Sequence, residues 1–158
     1  MKTHFVRKAL ATAVLSAFTS GAYAQATIEE IVVVARKRAE NLQEVPIAVS
    51  VFTEAEIQAA GIQRPADFIS LIPNVTIVDT ANVGDTQVSI RGIVSTRDAE
   101  STFAYVVDGV LVTNPNGFNE ELLDVSQIEV LKGPQGALYG RNAVAGAILV
   151  TTNQPDNE

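Results

Sequence analysis

The chain has 158 residues, a net charge of −7 and no cysteine. Without cysteine, disulfide stapling, thiol catalysis and zinc–thiolate sites are excluded. The excess of acidic residues argues against nucleic-acid binding, and the length suits one domain with one core.

The first 24 residues have the pattern of a secretory signal peptide. A basic start that includes Lys2 and Lys8 precedes an apolar run at residues 9–18, which is too short to span a bilayer. A small-x-small cleavage site ends at Ala24, so we assign residues 1–24 to a signal peptide. This leader holds three of the 11 basic residues and none of the 18 acidic ones, so the rest of the chain carries a net charge of −10.

Residues 25–41 carry a short β-prone run between two charged clusters. Ile31, Val32, Val33 and Val34 are β-branched and favour an extended backbone, whereas the flanking charges discourage self-pairing of an exposed strand. Because four apolar residues cannot fold alone, we expect this segment to await a partner strand. The alternative is that it forms an ordinary first strand of the folded domain.

Short strands and short helices follow. Thr53 and Glu56 form a capping box that begins a helix, and Gly61 ends it. A second helix begins at Pro65 and ends before Pro73, with its buried side formed by Phe68, Ile69, Leu71 and Ile72. Strands are predicted at residues 47–52, 75–78, 87–91, 104–107, 110–112, 128–131 and 147–151.

Turns and loops complete the predicted domain. Asp108-Gly109 signals a hairpin, and helical turns are predicted at residues 120–123 and before Gly140. Pro134 is expected to fix φ at the start of the second of these turns. Three polar loops, at residues 79–85, 95–102 and 113–119, are expected at one end of the sheet. Helices interleaved with strands, without any repeat, predict a mixed α+β domain.

Three motifs, in this order, resemble the plug domain of TonB-dependent outer-membrane receptors. They are Ser89-Ile90-Arg91-Gly92-Ile93, Val106-Val107-Asp108-Gly109-Val110, and the string E-V-L-K-G-P-Q-G-A-L-Y-G-R within residues 128–146. The resemblance covers about residues 29–152 and is most specific in the last string. It implies an α+β fold, in which a small mixed β-sheet with short helices and long apical loops is normally lodged inside a β-barrel.

The resemblance also implies a function. The chain would be the gate of a receptor for energised uptake of a nutrient such as an iron–siderophore complex, with no enzymatic activity and no cofactor. Its implied partners are TonB, a β-barrel and the nutrient, and its implied location is the cell outer membrane, on the periplasmic side of the barrel lumen. Residues 25–41 would be the TonB box and periplasmic arm, residues 42–153 the plug, and residues 154–158 a truncated link to a barrel absent from this sequence. The sequence would then be either a fragment or the product of a gene that stops early.

Site residues are carried over from the same resemblance. TonB would add a strand to Glu30, Ile31, Val32, Val33, Val34 and Ala35. Charged pairs with the barrel wall are assigned to Arg91, Glu129, Lys132 and Arg141. Candidate substrate contacts in the loops are Asn82, Asp85, Thr96, Arg97, Asp98, Asn114, Asn116, Phe118 and Asn119. Structural turns, where glycine permits a backbone that a Cβ opposes, are assigned to Gly92, Asp108, Gly109, Gly133, Pro134, Gly136, Gly140 and Gly146.

Two other classes of function stay open at this point. One is a soluble periplasmic ligand-binding or signalling domain derived from a plug. The other is a periplasmic hydrolase, against which the missing nucleophile–base set argues, since the only histidine, His4, lies in the leader. No calcium-loop spacing appears, so no metal site is predicted. The glycine-rich string does not have the lysine and hydroxyl spacing of a phosphate loop.

Overall fold

The computed structural model of the chain describes residues 31–34, 37–79, 86–95, 100–113 and 118–154. The first six strands are β1 (Val32–Val33), β2 (Glu40–Asn41), β3 (Ala48–Thr53), β4 (Val75–Asp79), β5 (Thr86–Ile90) and β6 (Ile93–Val94). The other strands are β7 (Phe103–Val107), β8 (Val110–Val112), β9 (Val125–Lys132) and β10 (Gly146–Thr152). The helices are α1 (Glu54–Ala60), α2 (Pro65–Ser70) and α3 (Gly136–Tyr139), and a 3₁₀ turn spans Leu42–Glu44.

A five-stranded mixed sheet forms the centre of the fold. Its strand order is β3-β9-β10-β7-β8; β10 and β7 are parallel, and the other neighbours are antiparallel. A three-stranded sheet, β4-β5-β6, and a two-stranded ribbon, β1-β2, complete the strands of the described residues. The predicted α+β class with a mixed sheet and short helices is confirmed.

The main core lies on one face of the central sheet. The alternating side chains of Ile128 and Val130 on β9 and Ile148 and Val150 on β10 point into it. The two longer helices cover this face and contribute buried residues, among them Phe68, which is 0% exposed. The three-stranded sheet adds Val75, Val88 and Ile90 to the same cluster.

The opposite face of the sheet carries a smaller apolar cluster. It contains Leu131 of β9, Leu149 of β10 and Val106 of β7, together with the small residues Ala104, Ala143 and Ala147. Tyr139 of α3 packs against it. This second face is the one over which the β1-β2 ribbon lies, as described below.

Local sequence signals account for the two longer helices. The Thr53 hydroxyl accepts a hydrogen bond from the Glu56 N–H, and Glu56 Oε2 accepts one from the Thr53 N–H at 2.9 Å, so the predicted capping box is present. Gly61 ends α1 with a φ of 66°, and Pro65 occupies the first turn of α2. Each of these signals acts within a few residues of the helix end that it fixes, which is why the sequence predicts them.

Three details of the prediction are wrong. Leu71 is 55% exposed, because it is the C-cap of α2 and its side chain points away from the core. Residues 120–123 form no helical turn; the Leu122 N–H donates to the Gln63 carbonyl at 2.8 Å, which holds this segment against another loop. Pro134 lies before the N-cap of α3, Gln135, and is not the first residue of a helix.

The Asp108-Gly109 turn is confirmed as a hairpin between β7 and β8. Both residues have positive φ, 47° and 81°, as a two-residue turn between twisted strands requires. Asp108 also accepts hydrogen bonds from Thr152: Oδ1 from the backbone N–H and Oδ2 from the hydroxyl, both at 2.9 Å. The turn therefore fastens the hairpin to the end of β10.

Gly146 is the glycine whose place in the sheet is most restrictive. A Cβ on this residue would clash with the main-chain carbonyl oxygen of Leu131 on β9, because the paired strands β9 and β10 approach each other closely at this point. Four other predicted turn glycines have positive φ: Gly92, Gly109, Gly133 and Gly140. Gly136 is a correction, because its φ is not positive and a Cβ there would meet no neighbouring atom of the described chain.

We predict that Gly146→Ala lowers the free energy of unfolding by about 3 kcal/mol, because the Leu131 carbonyl belongs to a paired strand and cannot move aside cheaply. Gly136→Ala is the matched control and should change this free energy by less than about 1 kcal/mol. Urea denaturation of the two variants measures both values. Equal stability of the two variants would contradict the close packing of β10 on β9.

Candidate functional site

Within the described part of the predicted TonB box, residues 31–34, strand β1 is formed by Val32 and Val33. It pairs antiparallel with β2, with Val32 opposite Asn41 and Val33 opposite Glu40. The Lys37 N–H also donates to the Val34 carbonyl at 2.8 Å. The ends of the box, Glu30 and Ala35, lie outside the described residues.

β1 rests on the second face of the central sheet. The Val33 side chain is 1% exposed, whereas Val32 and Val34 are 47% and 43% exposed. Val34 and Leu149 of β10 line the same cavity, which places the ribbon over this face. The sequence predicts a segment that awaits a partner, and the structure already gives it a strand, a buried valine and contacts with the sheet.

Two side chains of β9 hold the main chain of β1. Gln127 Nε2 donates to the Val32 carbonyl at 3.0 Å, and Glu129 Oε1 accepts from the Val34 N–H at 2.9 Å. Gln127 Nε2 also lies 3.3 Å from Glu129 Oε1. Because they stand two residues apart on one strand, both side chains emerge from the same face of the sheet.

Glu129 is therefore a correction to the predicted barrel contacts. Its side chain is 1% exposed beneath the ribbon, so it cannot meet a wall outside this chain while β1 is in place. The sequence reasoning missed Gln127 altogether. A signal was present, since two polar residues alternate with the core residues Ile128 and Val130, and a purely apolar contact would not need them.

An apolar cavity of about 260 Å³ adjoins the ribbon. Its lining includes Val34 and Lys37 of the ribbon, Leu111 of β8, and Leu138 and Tyr139 of α3. The Lys37 ammonium lies 5.6 Å from the centre of the Tyr139 ring, within the range of a cation–π contact. Burial, followed by the negative charge of Glu129, raises the pKa of Tyr139 to about 12.

Two of the resemblance motifs meet at Arg91. Its backbone has a φ of 53°, and its N–H donates to the Asn74 carbonyl at 2.8 Å. A Cβ on Gly133 would lie 3.4 Å from the Arg91 Nη1 atom, so the guanidinium passes directly over this glycine at the surface. Lys132, the neighbour of Gly133, donates from Nζ to the Ser50 hydroxyl at 3.2 Å.

Arg141 has a partner within the chain. Its Nη2 atom lies 2.7 Å from Glu100 Oε1, and the two side chains are 80% and 49% exposed. The sequence predicts a carboxylate partner from a barrel. An exposed pair such as this one contributes little to folding. Because its side chain is largely exposed, Arg141 stays accessible to other carboxylates.

The candidate substrate loops are only partly described. Asn82, Asp85, Thr96, Arg97, Asp98, Asn114 and Asn116 lie outside the described residues. Phe118 is a correction: it is 2% exposed and packs edge-on against Phe103 and Tyr105, with ring centres 5.1 and 4.9 Å apart. Asn119 accepts a hydrogen bond at Oδ1 from the Ala66 N–H at 3.2 Å, which ties the loop to α2.

Over the described ranges, no three acidic, histidine or cysteine side chains come together in a way that could hold a metal ion. Nor does any helix within these ranges have the length and apolar character needed to cross a bilayer.

The family of the chain follows from a direct match. A family model described as the TonB-dependent receptor plug domain matches residues 41–147. The chain belongs to this family. The matched range contains the central sheet up to Ala147 and both longer helices, so the plug family accounts for the fold described above.

Known relatives agree with this assignment. The plug is 32% identical over 112 residues to the pesticin receptor of Yersinia pestis, covering 70% of this chain and 16% of that protein. It is 31% identical over 159 residues to the vitamin B12 transporter BtuB of Vibrio vulnificus, covering 94% and 25% respectively. The chain therefore spans about a quarter or less of the length of these relatives.

Solved structures show the same fold. The plug superposes on the ferric yersiniabactin uptake receptor FyuA from Yersinia pestis with a TM-score of 0.64 and 31% identity, covering 71% of this chain and 18% of that one. The ferripyoverdine receptor of Pseudomonas aeruginosa gives a TM-score of 0.65 at 20% identity, covering 81% and 17%. At that identity the second likeness concerns the fold alone.

We predict a loss of stability between pH 10 and 12. A tyrosine whose folded pKa lies above its ordinary value of about 10 contributes stability that is fully present below pH 10 and is lost as the pH rises towards 12. Both Tyr139 and Tyr105, whose pKa burial also raises to about 12, have this property. Urea denaturation across this range measures the loss, and Tyr139→Phe should reduce its slope. Tyrosinate absorbance that appears near pH 10 for both residues in the folded chain would contradict the prediction.

Proposed function

We propose that this plug is the gate of a TonB-dependent outer-membrane receptor and takes part in energised uptake of a nutrient. The family match supports the gate, and the observation that carries the coupling to TonB is the main-chain edge of β1. A gate that a second protein opens needs an accessible segment to which that protein can bind. β1 lies at the start of the described chain, before the central sheet.

The edge of β1 has the groups that strand addition requires. The Ile31 carbonyl accepts from the Leu42 N–H at 3.0 Å, so the main-chain groups of Ile31 face β2. Because these groups alternate along a strand, the Val32 carbonyl and the Val34 N–H face the opposite edge. A TonB strand that paired there would obtain affinity from main-chain hydrogen bonds and register from side chains. In this proposal the box keeps its full extent, from Glu30 to Ala35.

Iron–siderophore complexes are the nutrient class that we favour. Support comes from a structural relative, since FyuA is a ferric yersiniabactin uptake receptor. The similarity to a vitamin B12 transporter makes cobalamin the alternative nutrient. Contacts with the nutrient are proposed for the apical loops, at Asn82, Asp85, Thr96, Arg97, Asp98, Asn114, Asn116 and Asn119.

The surface arginines are proposed to face the wall of a surrounding barrel. Arg91 is exposed beside Gly133, and Arg141 is exposed in spite of its pair with Glu100. A guanidinium can bind a carboxylate through two parallel hydrogen bonds, and hydrated charged contacts can both seal a lumen and yield when pulled. Lys132 is a weaker candidate, because its ammonium already contacts Ser50. The proposed role is mechanical, without catalysis, in the outer membrane.

Val34→Pro should abolish TonB-driven uptake by the receptor that carries this plug, while leaving nutrient binding unchanged. Proline removes the N–H at the free edge of β1. Val34→Ala is the matched control, because it keeps the N–H and should keep uptake. Transport of radiolabelled nutrient into cells, compared with binding to isolated outer membranes, measures the two activities. Wild-type uptake by the proline variant would refute the assignment of β1 to TonB.

Arg91→Ala should weaken the seating of the plug in its receptor, because a bidentate contact with the barrel would be lost. We expect a lower melting temperature of the intact receptor and reduced uptake, with Arg91→Lys intermediate since it keeps the charge but not the fork. The same substitution in the chain alone provides the comparison. If the alanine variant lowers stability equally in both, the arginine acts within the plug and not against a barrel.

A further inference from the structure

We propose that Gln127 and Glu129 take the place of a partner strand. They occupy the edge of β1 that does not face β2, which we call its free edge, and so prevent another strand from pairing there. We call this pair the Gln127–Glu129 clamp. The identity of the partner as TonB rests on the function proposed above, whereas the clamp itself is a property of this chain. An added strand would have to displace the clamp before it could pair.

The main-chain groups of β1 point towards two different edges. β2 already uses one edge of β1, because the pair Ile31–Leu42 is hydrogen-bonded across the ribbon at 3.0 Å. The other edge presents the Val32 carbonyl and the Val34 N–H, two residues apart. An adjacent strand would meet one acceptor and one donor at this spacing.

The clamp matches those two main-chain groups in chemistry and in spacing. Gln127 Nε2 supplies a donor to the Val32 carbonyl at 3.0 Å, and Glu129 Oε1 supplies an acceptor to the Val34 N–H at 2.9 Å. The two side chains rise from positions two residues apart on β9, which is the repeat of a strand. They therefore reproduce, with side-chain atoms, the donor and acceptor that a neighbouring strand would provide.

Burial strengthens the bonds between the clamp and β1. Glu129 is 1% exposed, and a hydrogen bond that a buried carboxylate accepts is stronger than one between neutral groups. The 3.3 Å contact between Gln127 Nε2 and Glu129 Oε1 links the two halves. Burial of Val33 adds an apolar contact beneath the same strand.

Opening of β1 sets how tightly a partner strand can bind. If only the open form of β1 can pair with another strand, the apparent affinity of the partner is reduced by the open fraction. Weakening the clamp should therefore tighten binding of the partner without any new contact to it. Loss of a hydrogen bond to a charged group corresponds to about tenfold in the opening equilibrium.

Two variants test the clamp and one serves as a control. Glu129→Leu removes the acceptor, and Gln127→Met removes the donor at a less buried position, so it keeps the test valid if the first variant folds poorly. Ser126→Ala is the control: it removes a side-chain bond to a main-chain carbonyl, that of Thr151 at 3.0 Å, on the same strand but away from β1. Each purified chain is tested for amide hydrogen exchange at Val34, whose N–H faces the clamp, and for its affinity for the periplasmic domain of TonB.

The clamp predicts that Glu129→Leu and Gln127→Met accelerate exchange of the Val34 amide about tenfold and lower the dissociation constant for TonB by a similar factor. Ser126→Ala should change neither. The proposal is overturned if both clamp variants exchange and bind like the unaltered chain, or if they bind TonB more weakly. If exchange accelerates as predicted but no chain binds TonB, the clamp is supported and the function proposed above fails instead.

Discussion

The pairing of β9 with strands on both of its edges is the constraint on which the rest of this structure depends. β3 and β10 occupy those edges, so the main chain of β9 is committed and only its side chains are available for other contacts. They alternate between two tasks. Ile128 and Val130 fill the main core, whereas Gln127 and Glu129 reach to the opposite face and hold β1.

The two faces of β9 differ in how strongly they hold their neighbours, and this difference links the stability of the plug to the proposed pull by TonB. The core side of β9 is apolar and is covered by two helices, so it resists opening. The other side meets a ribbon of two short strands through a few polar bonds and one buried valine. Segments with few buried apolar contacts open at lower free energy than the core. A pull on β1 would therefore detach the ribbon before it disturbed the central sheet.

Signals that act over a few residues could be predicted from the sequence. The capping box at Thr53, the stop at Gly61 and the Asp108-Gly109 hairpin are all found in the structure, because each depends on its immediate neighbours. The overall α+β class also follows from the order of strands and helices. The prediction that Leu71 is buried is wrong, because Leu71 lies one position beyond the end of a short helix and its side chain is exposed.

Contacts between distant parts of the chain could not be predicted in the same way. Nothing local indicates that Glu129 lies beneath residues 95 positions earlier, so its charge suggested a surface role. Phe118 was assigned to a loop by its neighbours, although two aromatic rings from β7 enclose it. The resemblance to plug domains draws attention to Arg91 and the glycine-rich string, and in the structure the two meet at Gly133.

The central claim is that TonB pairs with the free edge of β1, and cysteine cross-linking tests it most directly. The chain contains no native cysteine, so single cysteines placed in turn at residues 31–34 can be paired with single cysteines along a TonB strand. Strand pairing predicts disulfides at alternate positions in one register. Cross-links at every position, or none at residues 31–34, would contradict the claim.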